Sequence, residues 1–277
     1  MKLEWKLAKQ ARRAARFKKA LGPHVKALIV ESENGVFAVD PEDETLGGAL
    51  RHRGKYSLEE LERLRRFVTP ESRVLVVGAH IGTLAIPLAG SCREVVAIEA
   101  NPHTYDLLVK NIALNNAANC RALHLAANDR EEPVEFLLSR VNSGGSKRVP
   151  RVRKFIYYYD DPETVSVPSA PLDSVIEDHD FDLIVMDIEG SEYFALKGMP
   201  EILSNARALA VEFLPHHLKH VSGVTVEEFL AVIPRHFTTL TVPTLNRTVE
   251  SAEFLPCLSE MYRNDQGDDG LIFERAD

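Results

Sequence analysis

A chain of 277 residues with 45% hydrophobic, 27% charged and 7% aromatic residues is long enough for one large domain and ordinary for a globular protein. Its formal net charge of -8 argues against a dedicated nucleic-acid binder, which usually carries basic excess. The three cysteines, Cys92, Cys120 and Cys257, are far apart and odd in number, so no disulfide framework is expected and a reducing cytoplasm fits best. No apolar run follows the basic N-terminus, and the most apolar window, 74–90, is interrupted by His80, Thr83, Pro87 and glycines. Neither a signal peptide nor a membrane span is therefore expected.

Residues 2–21 are rich in Lys, Arg and Ala, with Leu3, Leu7, Ala14, Phe17 and Leu21 at helical spacing, and predict an amphipathic helix stopped by Gly22-Pro23. Such a helix docks on the main domain or on a second copy in a homodimer, or offers its basic face to a membrane surface or acidic partner. Residues 25–39 predict a hairpin around Asn34-Gly35. Ser57-Leu-Glu-Glu60 has capping-box spacing and opens a helix with Leu58, Leu61, Leu64 and Phe67 on one face. Residues 1–69 are read as an N-terminal extension and 70–277 as the main domain.

From Arg73 onward, apolar strand patterns alternate with helical ones, which predicts a mostly parallel sheet with helices on both faces. Its focal stretch runs from Arg73 to Gly82: a buried strand, Val74 to Val77, then a turn bracketed by Gly78 and Gly82. Bare backbone at such a turn lets a nucleotide-like ligand approach free N–H groups. About twenty residues on, a second strand ends in Glu99, placed to accept hydrogen bonds from both hydroxyls of a ribose. Together they indicate an adenosine-type cofactor. Asn128, Asp129, Asp187 and Glu189 fall at or just beyond further strand ends, where such sheets bind ligands. Residues 139–170 interrupt the alternation as a lid-like insertion, with a basic run from Lys147 to Lys154, three tyrosines from Tyr157, and Gly144-Gly145 as a candidate hinge.

The segments Val77-Gly-Ala-His-Ile-Gly82, Glu99-Ala-Asn-Pro102, Asn142-Ser-Gly-Gly-Ser146, Leu172-Asp173, Asp187-Ile-Glu-Gly-Ser-Glu192 and Val211-Glu-Phe213 occur in an order that resembles the FkbM-type S-adenosylmethionine-dependent methyltransferases. The resemblance covers roughly residues 35–275. It implies a Rossmann-like, mostly parallel seven-stranded sheet and S-adenosyl-L-methionine as cofactor. Gly78, Ala79, His80, Gly82, Glu99, Ala100, Asn128, Asp129 and Asp187 would then surround the cofactor. Two positions depart from the pattern: Val77 stands where an acid is usual, and Val185 where lysine is frequent.

Methyl transfer to a hydroxyl requires alignment and a proton acceptor. Asp187, Glu189 and His216 are the candidates for that chemistry, with Asp187 and Glu212 as ligands of an optional Mg2+ that would acidify the hydroxyl. Their bland readings are helix capping for the first two, a buried hydrogen-bonder for Glu212 and a plain loop histidine for His216. The expected acceptor is a small-molecule hydroxyl on a sugar, glycolipid or polyketide-like natural product, with nucleic acid disfavoured by net charge. Alternatives are a non-catalytic partner-binding module, an RNA methyltransferase, and a nicotinamide dehydrogenase. The last is disfavoured because His80 occupies the middle glycine position of its fingerprint.

Overall fold

The protein is described by a computed structural model over residues 2–275. Helix α1 (Lys2–Leu21) is followed by the antiparallel pair β1 (Leu28–Ser32) and β2 (Gly35–Val39), then α2 (Leu46–Arg53) and α3 (Leu58–Arg65). The main sheet opens with β3 (Arg73–Val77), α4 (Ala85–Ala89), β4 (Glu94–Glu99), α5 (Pro102–Leu114) and β5 (Cys120–His124). Short strands follow: β6 (Ala126–Ala127), β7 (Val134–Leu138), β8 (Lys147–Arg148), β9 (Glu163–Val167) and β10 (Ser169–Ala170). The main sheet resumes with β11 (Leu183–Met186), β12 (Ala208–Phe213), β13 (Phe237–Val242), β14 (Arg247–Glu250) and β15 (Asp268–Arg275).

Its order is β14-β13-β15-β12-β11-β3-β4-β5, with β12, β11, β3, β4 and β5 mutually parallel and the other three antiparallel. The sheet therefore has eight strands where seven were expected; β14 adds the eighth as a hairpin onto β13. Alternate residues of each strand feed opposite layers. Leu75, Val77, Val96 and Ile98 pack with Leu209, Phe213 and Phe273, while Val74, Val76, Val95 and Ala97 pack with Ala85, Leu88 and Leu108. Strand order reverses at β3, which has β4 on one side and β11 on the other, and a doubly wound sheet opens its ligand crevice at such a point.

The N-terminal hairpin is joined to this sheet by amide side chains on α5. Asn111 accepts from Ala38 N (2.7 Å) and donates to Ala38 O and Ile81 O, and Asn115 makes the same paired bonds to Val36. Two side chains thus complete the backbone pairing that β2 lacks on that edge. Helix α3 begins where expected, but Ser57 sits at φ 46 and makes no cap hydrogen bond. A capping box forms instead at Thr225 and Glu228. Helix α4 starts only at Ala85, after a turn in which His80 and Gly82 take φ 52 and 96. No helix among the described residues is long and apolar enough to cross a membrane, and the three cysteines are buried as free thiols.

Candidate functional site

At the switch point, the backbone N–H groups of Gly78 and Ala79 both donate to Ile98 O, and Asp187 N donates to Val77 O. These bonds lock the ends of β3, β4 and β11 together. Gly78 takes φ 86, and a Cβ there would stand 1.8 Å from the carbonyl oxygen of Asp187, so only glycine fits. Two cavities open from this point. Val77, Gly78, His80, Gly144 and Asp187 line both, and form their common border.

The first cavity is a narrow, largely apolar slot beside this border. Ile98, Leu125, Ala126, Ala127, Val134 and Phe136 form an apolar slot on one side, with Glu99 and Ala100 at the end of β4. Glu99 is held rigidly: one carboxylate oxygen accepts from His80 N (2.7 Å), the other from Asn101 N (2.7 Å) and Thr104 Oγ1 (2.9 Å). An apolar slot for a flat ring beside a fixed carboxylate and a glycine turn suits an adenosine moiety. Asn128 and Asp129 do not reach this wall. Asn128 is tied to Arg130 O, Ser169 and Arg148, and Asp129 to Lys197 (2.9 Å), because both point away from the slot that Ala126 and Ala127 line. Gly82 faces Ile86 and Leu108 in the core, so its role is the turn itself.

The second cavity is larger and acidic: Asp187, Glu189, Glu212, Glu60 and Asp269 line it, with Lys147, His216, His217, Tyr56 and Tyr157. Asp187 faces open space in the cleft with no hydrogen bond to its carboxyl among the described residues. Burial within surrounding protein, then the charges of Glu189 and Glu192, push its pKa well above the usual carboxylate range. Glu189 sits at φ 58, a conformation non-glycine residues rarely adopt, and the adjoining Gly190 at φ 101. The turn is held by Glu192, whose carboxylate accepts from Ile188 N and Gly190 N, and burial pushes Glu192 up to about 7.

Lys147 is the residue that the sequence did not single out. Its ammonium lies 2.6 Å from Glu189 Oε2 and 3.1 Å from His217 Nε2, while His217 Nδ1 is 3.1 Å from Glu212 Oε2. An ammonium has only hydrogens to give, so His217 Nε2 accepts and its Nδ1–H donates to Glu212. Burial, then the Lys147 charge, push the His217 pKa far down and keep the ring neutral. Of the two residues expected to hold Mg2+, Glu212 falls within a metal-like group with Glu189 and His217 among the described residues, Asp187 lies outside it, and the Lys147 ammonium lies against it. His216 lies beside this chain, its ring 4.3 Å from that of His217. On the other side of the border, His80 Nε2 is 2.7 Å from Ser143 Oγ, which donates to Asp43; Asp43 is pushed by burial to about 6.

These shifts set a pH dependence of stability. Asp43, Glu60 and Glu192 rise to about 6, 7 and 7, and Asp187 and Glu212 are also pushed well above the usual carboxylate range. A raised folded-state pKa contributes stability that is complete below the unfolded value and lost as pH rises through the folded one. His80, His216 and His217 are pushed below 6.5 and act in the opposite sense, but only below pH 6.5, where the unfolded chain binds protons. Above pH 6.5 the carboxyls titrate alone. The melting temperature is expected to fall between pH 6.5 and about 8; a rise measured by circular dichroism would contradict this assignment.

A family model described as "Methyltransferase FkbM domain" matches residues 77–235. A curated relative from Pyrococcus horikoshii, tRNA(Phe) (4-demethylwyosine(37)-C(7)) aminocarboxypropyltransferase, is 32% identical over 101 residues, 36% of this chain and 35% of its own length. The chain thus spans about a third of that relative. Among solved structures, Methyltransferase FkbM from Methylobacillus flagellatus KT is 18% identical, with 74% of this chain and 44% of that one covered and a TM-score of 0.43. M. jannaschii TYW2 in complex with AdoMet is 15% identical, with 92% and 89% covered and a TM-score of 0.44. The curated relative corrects the partner expectation of a small-molecule acceptor with nucleic acid disfavoured, since its name places its action on tRNA. A net charge of -8 does not by itself exclude a nucleic-acid partner, because it averages over a chain with eight basic residues within residues 2–19.

Proposed function

The chain belongs to the FkbM family of S-adenosylmethionine-dependent methyltransferases, and we propose that it methylates a hydroxyl oxygen of an RNA nucleotide at the border between the two cavities. One observation carries the reading: Gly78, His80 and Asp187 line both an apolar cavity that ends at Glu99 and an acidic second cavity at the sheet's switch point. The donor, when bound, supplies an electrophilic methyl group on sulfur. The protein's own residues do the rest. Glu99 and the glycine turn fix the ribose, and the apolar slot receives the base. Asp187, raised in pKa and unpaired, takes the acceptor's proton, and Glu189 and His216 orient the acceptor from the far wall. The RNA acceptor is supported by the curated relative acting on tRNA and by the basic segregation of the N-terminal helix.

Calorimetry with S-adenosylhomocysteine against NAD is expected to show binding of the first alone. Labelled methyl transfer into unfractionated tRNA, followed by nuclease digestion, is expected to place the label on a nucleoside oxygen. Asp187→Asn is expected to slow that transfer by about 10²- to 10⁴-fold while retaining S-adenosylhomocysteine affinity. Label that survives nuclease treatment on a non-RNA species would reject the acceptor, and a wild-type rate in the variant would reject the base.

A further inference from the structure

The geometry points to the outward face of α1 as the docking surface for the phosphate backbone of the acceptor RNA, an inference that rests on the reading just proposed. At 3.6 residues per turn, Lys6, Lys9, Arg12, Arg13, Arg16 and Lys19 fall within one arc of about 140°, and all six are exposed. Trp5, 68% exposed, lies inside the same arc with Lys9 over its ring. The opposite arc carries Leu7, Ala11, Ala14 and Leu21 and is turned toward the protein, with Ala14 fully buried.

Helix α1 is fastened by this inner side and its margins. Lys18 pairs with Asp40 (3.2 Å), Arg13 with Glu44 (3.4 Å), and the Arg51 guanidinium lies over the Phe17 ring. It also packs against residues 155–157. Those contacts place it on elements that wall the second cavity, since Thr45, Leu46, Ile156 and Tyr157 all line it. Lys6, Arg12, Arg16 and Lys19 have no acidic partner among the described residues. From Lys6 to Lys19 the arc runs for about 20 Å along the helix axis, enough to meet several successive phosphates.

Two polyanionic surfaces could attract this face, and its composition chooses between them. A helix that lies in a bilayer interface presents a broad apolar face beside its basic one. Here Leu7, Ala11, Ala14 and Leu21 are largely covered by the protein, Leu3 (57% exposed) and Phe17 (37% exposed, beneath Arg51) lie outside the basic arc, and Trp5 is the single large apolar side chain within it. A cationic stripe with one aromatic ring suits a nucleic-acid strand, where charge neutralises phosphate and a ring stacks on a base. The second cavity, by contrast, is lined with carboxylates that repel phosphate. Phosphates held on α1 and a nucleoside admitted to the cavity satisfy both fields at once.

The test compares the full-length protein with the variant Lys6→Glu/Arg12→Glu/Arg16→Glu/Lys19→Glu, using unfractionated tRNA in filter binding over a salt series. Circular dichroism and S-adenosylhomocysteine affinity check that the variant is folded. The variant is expected to lose at least about 100-fold in tRNA affinity and to lower the salt slope by about 3 to 4. Trp5→Ala is expected to weaken binding without changing the slope. Wild-type affinity in the fourfold variant, or absence of tRNA binding by the wild type, overturns the surface. Loss of binding to phosphatidylserine vesicles with tRNA binding intact overturns it in favour of a membrane. Methyl transfer into the same tRNA is read in parallel. A protein that methylates tRNA but binds it independently of α1 keeps the function and loses the surface; one that binds through α1 without methylating does the reverse.

Discussion

Gly78→Ala is expected to abolish S-adenosylhomocysteine binding and to destabilise the fold by several-fold more than a positive-φ glycine replaced elsewhere. Two effects combine. At φ 86 a side chain costs about 1 kcal/mol of backbone strain. The added Cβ would also stand 1.8 Å from Asp187 O, 2.8 Å from its carbonyl carbon and 2.9 Å from Ile188 Cγ2. Two of those three atoms are backbone and cannot swing aside. Relief requires β3 and β11 to part at their ends, which breaks the bond from Asp187 N to Val77 O and moves the cavity border. Gly54→Ala isolates the first effect, since Gly54 has φ 66 and nothing within 4 Å of an added Cβ. Chemical denaturation should give about 1 kcal/mol for that control. An equal loss in both variants, with cofactor affinity kept in Gly78→Ala, would show that the close approach does not matter.

The contrast between these two glycines also marks what a sequence can reveal. Gly78 was legible because it lies between a strand of buried β-branched residues and an apolar helix start, a pattern local to ten residues. Glu99 was legible for the same reason, as the acid ending the next strand. The eighth strand and α2 were not, since Arg247–Glu250 alternates too weakly to declare a strand and Leu46–Arg53 begins without a cap hydrogen bond. Ser57 shows the opposite failure. Its spacing to Glu60 satisfies a capping box, yet the left-handed backbone turns both residues toward the second cavity.

Charge misled the reading in a related way. A sum over the chain is blind to the arc on α1 and to the carboxylates gathered from α3, β11, β12 and β15. These groups lie far apart in sequence and meet because the parallel strands β11 and β12 end, and the antiparallel β15 begins, on the side of the sheet where α3 presents Glu60. Asn128 and Asp129 were assigned to the cofactor because they follow a strand end, but Asn128 is held by Arg130, Ser169 and Arg148 and Asp129 by Lys197. Lys147 was hidden inside a basic run in which Arg151, Arg153 and Lys154 are exposed and Arg148 is half-buried beside the first cavity. Only the antiparallel pairing of β8 with β7 turns it inward, opposite Leu137. It delivers from the insertion an ammonium that β11, with Val185 at the position where the resemblance leads one to expect lysine, does not carry.

Lys147→Met should therefore have a large effect on stability. The Lys147 side chain is only 7% exposed, and its removal leaves Glu189 and Glu212 facing a neutral His217 with no cation between them. Removing one partner of a buried ion pair costs about 3–5 kcal/mol, because the remaining charge is neither solvated nor paired. The loss should depend on pH. Without the ammonium, His217 lies 3.3 Å from Glu189 and 3.1 Å from Glu212, so a protonated ring would donate to both. In the variant His217 is then expected to hold a proton more tightly than in the unfolded chain. That contribution is present below pH 6.5 and disappears as pH rises through the new folded-state value. The deficit measured by urea denaturation should thus be smaller near pH 5.5 than near about pH 8. Lys147→Arg, which keeps the charge, should recover most of the stability at both. A deficit below about 1 kcal/mol, or one that does not change with pH, would mean that the Lys147–His217–Glu212 chain is a surface-like ion pair with little hold on the cavity.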